Sequence, residues 1–556
     1  MDKVLRELLL KAGLKVQGRE FDVIEVETPK DEKLGDLSTP AAMSLAKQLK
    51  KPPRKIAEDI VAGIERKDIF EKIEIAGPGF INFTFTRDFL CAELKKLIGE
   101  KDAFVREDIG KGKRIQIEFV SANPTGPMHL GHGRGAAVGS ALSNLLLEEG
   151  YKVEKEFYIN DAGRQVKLLG LSVFAKYQQL SGVDYPFPED GYRGDYVEGL
   201  AKEFREKYGD EFVRRDFDGV SGVFIDFAYL RMLAELKKDL GDFGVFFDSW
   251  QSERELYEKG EVVQAISDLR ERGDIYGQDG AVWFRSSEFG DDKDRVIVKK
   301  DGEYTYFAPD IAYHRKKILR GFDELIDIWG ADHHGYIPRM KAVIQALGYP
   351  KDSLRVILVQ MVALLKGGQP VQMSKRAGEF ITLREVIDDI GPDTTKFLFL
   401  TRRSDSHLEV DIEVAKAQSS ENPVYYVQYA HARIHSIFQK AISESAVFTS
   451  PIQTEDWGKS LTDFRGDLLN DEELRIVRKL LSYPMMLRNA ALAHEPHRIT
   501  FYLQELAGTF HPYYHKHKVV SEDTELTKAR LALCEATRIV LKHGLGILGV
   551  KAPERM

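Results

Sequence analysis

Two histidines three residues apart, His129 and His132, flank Gly131 in a segment that follows a short apolar run. Residues 114–120 are rich in β-branched and aromatic side chains, which predicts a buried strand. From about residue 133 to 149, small and apolar residues recur at helical spacing. The free N–H groups of the first helical turn would face the strand end and form an anion site. Both imidazoles could then donate hydrogen bonds to phosphate oxygens, while Gly131 lets a flat ring approach the backbone.

A lysine farther along the chain, Lys375, is the second candidate for phosphate chemistry. It lies within residues 372–378, shortly after the glycine pair Gly367 and Gly368. A lysine in a glycine-flanked loop can swing onto a polyphosphate, where its ammonium acts as a compact charge. Taken alone, this segment would be an ordinary basic surface loop. Together with the two histidines on one α/β domain, it predicts a polyphosphate site.

The elements that position both segments alternate between strands and helices over residues 110–407. This alternation is typical of an open α/β sheet. Within it, residues 181–273 are charged and helical, which predicts an insertion. Residues 1–109 predict a small α+β domain. Residues 408–556 carry long helical patterns and almost no strand signal, which predicts an all-α bundle.

The composition is that of an ordinary soluble globular protein. The chain has 556 residues, of which 43% are hydrophobic and 30% charged, and its formal net charge is −8. This length suggests roughly three or four domains. No signal peptide or membrane-spanning run is apparent, so a cytoplasmic protein without a membrane partner is expected. Cys91 and Cys534 belong to no metal-binding pattern, so no metal site is predicted.

The segment His129-Leu130-Gly131-His132 (the first signature) resembles the HIGH signature of class I aminoacyl-tRNA synthetases and of their nucleotidyltransferase relatives. Residues 372–376 (the second signature) resemble the KMSKS signature of the same class. The matching positions are Met373, Ser374 and Lys375, whereas Gln372 replaces the first lysine. A dinucleotide cofactor is not indicated, because the G-x-G-x-x-G pattern is missing.

Further segments resemble those of arginyl-tRNA synthetases. They are residues 160–165, 192–196, 307–313, 329–336, 422–433 and the closing 552–556. The resemblance covers essentially the whole chain. It implies an α/β, Rossmann-like catalytic domain (110–407) between an N-terminal domain that contacts tRNA (1–109) and a C-terminal helical domain that binds the anticodon (408–556).

The resemblance also implies roles for single residues. For ATP, the implied residues are His129, Gly131, His132, Gly330, Asp332, His334, Met373, Ser374 and Lys375, with His129, His132 and Lys375 acting in catalysis. For arginine they are Asn123 at its backbone end, Tyr306 and Asp310 around its side chain, and Glu118 and Glu253 as further acids. A guanidinium needs planar acceptors and is very costly to bury unpaired, so carboxylates are expected in this pocket. For tRNA they are Tyr425, Tyr429 and Arg433, whose rings and guanidinium could stack on and pair with unstacked bases.

The implied reaction has two steps and needs no protein nucleophile. Arginine would react with Mg²⁺-ATP to give arginyl-adenylate, and the 2′-hydroxyl of the terminal adenosine of tRNA(Arg) would then take the arginyl group. No tightly bound cofactor is expected, and a monomer is expected. The chain between the two signatures is too short for an editing domain, which a charged and distinctive substrate does not require.

Two other classes of protein stay open at this point. A small-molecule nucleotidyltransferase shares the first signature, but it would leave the C-terminal bundle and the second signature unexplained. A non-catalytic tRNA-binding paralogue would keep the bundle, yet it should have lost His129, His132 or Lys375. Amino-acid-dependent exchange of pyrophosphate into ATP separates the three.

Overall fold

The N-terminal part of the chain forms a small α+β unit. The computed structural model describes residues 1–17, 24–29, 31–371, 381–444, 447 and 457–556. The elements of this part are α1 (Asp2–Gln17), β1 (Leu37–Thr39), α2 (Ala41–Leu49), α3 (Pro53–Gly63), β2 (Phe70–Ala76), β3 (Phe80–Phe85), α4 (Arg87–Glu100) and α5 (Asp102–Val105). The three strands pair antiparallel in the order β1-β3-β2. The predicted strands and helices of this part are therefore confirmed.

The central part alternates between strands and helices, as predicted. Its elements are β4 (Arg114–Glu118), α6 (Leu130–Glu148), β5 (Lys152–Ile159), α7 (Arg164–Leu180), α8 (Asp195–Tyr208), α9 (Phe217–Asp242), β6 (Ser249–Ser252), α10 (Glu253–Glu258), α11 (Glu261–Glu271), β7 (Ile275–Gln278), β8 (Ala281–Phe284), β9 (Arg295–Val298), α12 (Phe307–Leu319), β10 (Glu324–Gly330), α13 (Ile337–Ala346) and β11 (Leu354–Val359).

The rest of the chain, from residue 362 onward, is mostly helical. Its elements are β12 (Val362–Lys366), β13 (Gln369–Pro370), α14 (Leu383–Ile390), α15 (Pro392–Phe399), β14 (Leu408–Asp411), α16 (Ile412–Lys416), α17 (Pro423–Glu444), α18 (Asp471–Leu481), α19 (Tyr483–Ala493), α20 (His497–Lys516) and α21 (Thr524–Ile547). Among the described residues, no helix combines the length and apolarity needed to cross a bilayer.

A five-stranded parallel sheet positions the candidate site. The strand order is β11-β10-β4-β5-β6, so β4 lies at the centre and is covered on both faces. Ile115 and Ile117 on one face of β4 and Gln116 on the other are buried accordingly. In a parallel sheet the carboxyl ends of all strands meet at one edge, where ligands bind in open α/β folds. The α/β fold class predicted from the sequence is confirmed.

The segment predicted as an insertion, residues 181–273, departs from the sheet only in part. Helices α8 and α9 pack with α7 around a separate apolar cluster that includes Phe174, Phe204 and Phe224. Strand β6, however, returns to the sheet and pairs in parallel with β5. Its sequence, Ser-Trp-Gln-Ser, is short and polar, so periodicity gave no sign of a strand. Strands β7, β8 and β9 form a second, antiparallel sheet.

Two features of the C-terminal part differ from the sequence prediction. Strand β14 lies after residue 408 and pairs in parallel with β12, although four residues are too few to give a clear strand signal. The helical pattern of the sequence runs without a break from Asp471 to Ala493, but this stretch forms two helices, α18 and α19. The break falls at Ser482, because Pro484 lies in the first turn of α19, where the missing N–H costs no hydrogen bond.

Candidate active site

A cavity of about 820 Å³ opens at the carboxyl ends of the central strands. Six of the residues predicted for the site line it: Asn123, His129, Gly131, His132, Gly330 and Asp332. Gln360 and Met361, which follow β11, complete one wall, and sequence reasoning did not find them. His333 lines the cavity, whereas His334 does not. The structure therefore brings most of the predicted nucleotide residues to one place.

The first signature forms the start of α6, three residues earlier than periodicity predicts. His129 caps the helix: its Nδ1 accepts the backbone N–H of Gly131 at 3.0 Å and of His132 at 3.4 Å. The Nδ1 of His132 accepts the N–H of His129 at 3.3 Å. The two rings stack with centroids 3.7 Å apart.

This capping arrangement determines the protonation of both rings. Because each Nδ1 accepts a hydrogen bond, each neutral ring carries its proton on Nε2 and can donate it to an anion. Burial, followed by the charge of His129, lowers the pKa of His132 to about 3. Burial also lowers the pKa of His129. Both imidazoles are therefore neutral donors at the mouth of α6.

The turn between β4 and α6 is strained beside the cavity. Val120 has a φ of 68° and Ser121 a φ of 41°, although neither is glycine. A β-branched residue with positive φ is an outlier, and such strain is common at functional sites. The Ser121 hydroxyl helps to hold the turn: it donates to Glu118 Oε1 at 2.8 Å and accepts the N–H of Tyr158 at 3.2 Å.

Two predicted arginine-binding acids, Asp310 and Glu253 (the carboxylate pair), form no ion pair with any of the described residues. Asp310, in the first turn of α12, accepts a hydrogen bond from the Tyr336 hydroxyl. Glu253, at the start of α10, accepts one from Tyr158 at 3.1 Å. Burial raises the pKa of Asp310 to about 6. Burial, with the nearby charge of Asp310, raises the pKa of Glu253 to about 7.

The other predicted arginine-binding residues lie in different settings. Tyr306 is 72% exposed, and its hydroxyl accepts a hydrogen bond from Arg339 at 3.3 Å. The amide of Asn123 donates to Gln165 Oε1 at 2.7 Å. Glu118 is buried, and its carboxylate already receives the ammonium of Lys317 at 2.5 Å. It contributes to an ion cluster rather than to an open pocket.

That ion cluster lies beneath the carboxylate pair and was not found from the sequence. The ammonium of Lys317 also contacts Asp327 at 2.8 Å. Asp327 in turn contacts Nε2 of His314 at 2.9 Å, and Nδ1 of the same ring lies 2.8 Å from the carbonyl of Asp310. The sequence signal that could have revealed the cluster is the spacing of His314 and Lys317, which are three residues apart and so lie on one face of α12. The cluster fixes the helix that carries Asp310.

The second signature, including Met373, Ser374 and Lys375, lies outside the described residues. Its flanks are described, and both reach the first signature. Gln360 and Met361 line the cavity on the N-terminal side. On the C-terminal side, Thr382 forms a β-bridge with His129, and Leu383 N–H donates to the Met128 carbonyl at 2.8 Å. The segment between these flanks thus begins and ends at the cavity.

The predicted tRNA-binding residues follow one face of α17 at intervals of four. The rings of Tyr425 and Tyr429 stack with centroids 5.7 Å apart, and His511 stacks on Tyr429 at 5.8 Å. The guanidinium of Arg433 lies 4.4 Å from the ring centroid of Tyr429 and 4.8 Å from that of Tyr514. The result is a row of partly exposed π surfaces, formed by Tyr425, Tyr429, Arg433 and Tyr514 and backed by the buried His511, which is the kind of surface that stacks with unpaired bases.

Three family models match the chain and together span most of it. The arginyl tRNA synthetase N terminal domain matches residues 2–85. The catalytic domain of tRNA synthetases class I (R) matches residues 93–190 and 233–432. The DALR anticodon binding domain matches residues 427–556.

Relatives are similar over the full length. The arginine–tRNA ligase of Geobacter sp. (strain M21) is 49% identical over 540 residues, which are 97% of this chain and 96% of the relative. That of Bacillus subtilis (strain 168) is 46% identical over 562 residues, covering 100% of this chain and 99% of the relative. The fold also matches the Thermus thermophilus arginyl-tRNA synthetase, with a TM-score of 0.77, 20% identity and 100% coverage of both chains.

The parallel sheet, the histidine-capped helix and the catalytic-domain match define a class I aminoacyl-tRNA synthetase. Within that class the sequence identities to the relatives determine the family, because the matches extend over the N-terminal and anticodon-binding parts as well as the catalytic part. The chain belongs to the arginine–tRNA ligase family.

Proposed function

We propose that this chain activates L-arginine with ATP and transfers the arginyl group to tRNA(Arg). A carboxylate oxygen of arginine attacks the α-phosphorus of ATP, the bond to the bridging oxygen breaks, and arginyl-adenylate and pyrophosphate form. The 2′-hydroxyl of the terminal adenosine of tRNA then takes the arginyl group, and AMP leaves. Membership of the family supports both steps.

The carboxylate pair is the single observation that carries the choice of arginine. Asp310 and Glu253 are each bonded to a tyrosine hydroxyl, and both have raised pKa values chiefly because they are buried. A guanidinium presents five N–H donors in a plane and would restore both carboxylates to their charged form. A neutral side chain would leave this pair unpaired. Tyr306 would cover the guanidinium, and Asn123 would contact the backbone end of the amino acid.

We assign the nucleotide to the cavity at the mouth of α6. His129 and His132 would donate from Nε2 to phosphate oxygens, and Gly131 would leave room for a ring against the backbone. Gly330, Asp332 and His334 would border the adenosine and arginine sites, and Lys375, with Met373 and Ser374, would bind the β- and γ-phosphates. Catalysis would then consist of positioning and charge stabilisation. Glu118 would contribute indirectly, because its carboxylate accepts the hydrogen bond of the Ser121 hydroxyl and so helps to hold the turn before α6.

The row of π surfaces on α17 would bind the anticodon. Tyr425, Tyr429 and Arg433 offer stacking faces and a guanidinium to unpaired bases. We further propose that ATP enters as its Mg²⁺ complex, that the enzyme works as a monomer, and that it works in the cytoplasm.

Exchange of labelled pyrophosphate into ATP tests this function. The assay is run on the full chain with tRNA and each amino acid in turn. We expect that arginine is the one amino acid that supports exchange, and that labelled arginine is transferred to tRNA. Exchange without any amino acid would indicate a small-molecule nucleotidyltransferase, and no exchange under any condition would indicate a tRNA-binding protein without this activity.

A further inference from the structure

A buried arginine in the second turn of α6, Arg134, is bonded to no carboxylate of the described residues. Its Nη1 donates to the carbonyls of Gln360 at 2.8 Å and Ser406 at 2.7 Å, and its Nη2 donates to the carbonyl of Arg403 at 2.8 Å. The side chain is fully buried, and its Nε has no partner among the described residues. Burying a cation is costly, and the three carbonyl acceptors and the nearby charge of Asp405 offset that cost only in part, since burial still lowers the pKa of Arg134 to about 10.

The three carbonyls belong to two backbone segments that meet beside the nucleotide cavity. Gln360 directly follows β11 and, with Met361, lines the same cavity as the two histidines. Arg403 and Ser406 lie in the connection between α15 and β14. The Gln360 N–H also donates to the Ser404 carbonyl at 2.8 Å, so the two segments are bonded to each other as well as to Arg134.

Gln360 also leads into β12 and β13, the two strands that precede the second signature. The path runs through β12 and β13 to residue 371 and resumes at residue 381. At the far end, the bridge between Thr382 and His129 returns it to the first signature. Helix α6 is therefore bonded to the described residues on both sides of this segment: Arg134 bonds Gln360 before it, and His129, at the start of the helix, pairs with Thr382 after it.

We propose that Arg134 is a positioning residue that holds the Gln360–Met361 wall of the nucleotide pocket in register with the histidines of α6. This inference rests on the proposed function, because it assigns ATP to that cavity. Only a guanidinium has a planar fork of donors wide enough to bond carbonyls of separate segments at once. Lysine keeps the charge, but its single nitrogen cannot reproduce that fork.

The proposed role distinguishes ATP from arginine. The contacts of Arg134 lie on the β11 side of the sheet, whereas Tyr158 ends β5 and Glu253 follows β6 on the other side. Loss of the anchor should displace the nucleotide wall and leave the contact between Tyr158 and Glu253 in place. A general loosening of the fold would instead affect both substrates alike.

The test compares Arg134→Lys and Arg134→Gln with wild type in arginine-dependent pyrophosphate exchange, on the full chain with tRNA present. We expect Arg134→Lys to raise the KM for ATP about 10-fold, and Arg134→Gln to lower kcat/KM for ATP about 10²-fold, as misplacement by about 1 Å can do. The KM for arginine should stay within about twofold in both variants. Arg402→Lys, an exposed arginine next to Arg403, is the matched control and should behave as wild type.

Thermal unfolding of each variant accompanies the kinetics. If Arg134→Lys does not fold, Arg134→Gln, which removes the buried charge, decides the question. Unchanged ATP parameters in a folded variant, or equal increases in the KM values for ATP and arginine, would overturn the proposal. Absence of exchange in wild type would instead count against the proposed function itself.

Discussion

At the scale of single residues, the carboxylate pair links arginine binding to protons. Asp310 and Glu253 have pKa values raised to about 6 and about 7, so at lower pH each holds a proton that a bound guanidinium would have to displace. The charged forms bind arginine, so affinity is retained above these values and lost as the pH falls through them. If binding needs both charges, the KM for arginine should rise about 20-fold from pH 8 to pH 6.

Steady-state exchange kinetics over this pH range measure the effect, and Glu253→Gln sharpens it. This variant keeps the shape of the side chain but removes the group that titrates at the higher pH. We expect a high KM for arginine at every pH and a weaker pH dependence than in wild type. A KM for arginine that does not change between pH 6 and pH 8 in wild type would contradict the linkage.

The lysine of the second signature gives a second prediction for a single residue. Lys375→Ala should lower the rate of adenylate formation about 10²–10³-fold, because the variant loses a charge that stabilises the departing pyrophosphate. The affinity for arginine should change little. Pyrophosphate exchange with arginine measures both quantities, and an unchanged exchange rate would refute the role of Lys375.

At the scale of elements, glycines set the distance between α6 and the sheet. A Cβ added at Gly139 would lie 2.3 Å from the ring of Phe119, which is buried and packed against Phe247. Gly139→Ala should therefore destabilise the protein by about 1–3 kcal/mol through overpacking. Gly135→Ala is the control on the same helix: no atom lies within 4 Å of the added Cβ, so helix propensity should stabilise it by up to about 1 kcal/mol. Thermal unfolding midpoints should shift in opposite directions.

The elements also show what the sequence can and cannot predict. The α/β centre and the helical C-terminal part follow from periodicity, because apolar residues recur with the spacing of each element. The first signature predicts the anion site, but not that His129 itself caps α6. The partners of Asp310 and Glu253 were missed, because Tyr336 and Tyr158 lie on other elements and only the folded sheet brings them close. Strand β6 was missed for lack of apolar residues.

At the scale of the whole molecule, a buried acid lies where three parts of the chain meet. Glu149, at the end of α6, is fully buried, and neither of its carboxylate oxygens has a hydrogen-bond partner among the described residues. Nearby, Glu107 of the linker is bonded to Arg6 of α1 at 2.6 Å and lies 3.7 Å from Arg488 of α19. Burial, with the charges of Glu107 and Glu148, raises the pKa of Glu149 to about 8.

This junction predicts a specific pH dependence of stability. An acid whose pKa is higher in the folded than in the unfolded protein binds more protons when folded, so its contribution to stability falls as the pH rises between the two values. From pH 6 to pH 9, Glu149 should cost the folded state about 2–3 kcal/mol. Glu149→Gln should remove this loss in chemical unfolding, whereas the exposed Glu58→Gln should not. Equal pH profiles for wild type and Glu149→Gln would contradict this account.

The last turn of α21 and the residues after it are bonded back to the catalytic part. The Ile547 carbonyl accepts from Asn144 at 3.0 Å, the Gly549 carbonyl accepts from the buried Lys396, and the Lys551 N–H donates to Asp393 at 3.1 Å. Cutting the chain after residue 407 would leave β12 without its parallel neighbour and an ammonium without its acceptor. Dissection into catalytic and anticodon-binding fragments should thus give aggregating pieces, even though different family models describe the two parts.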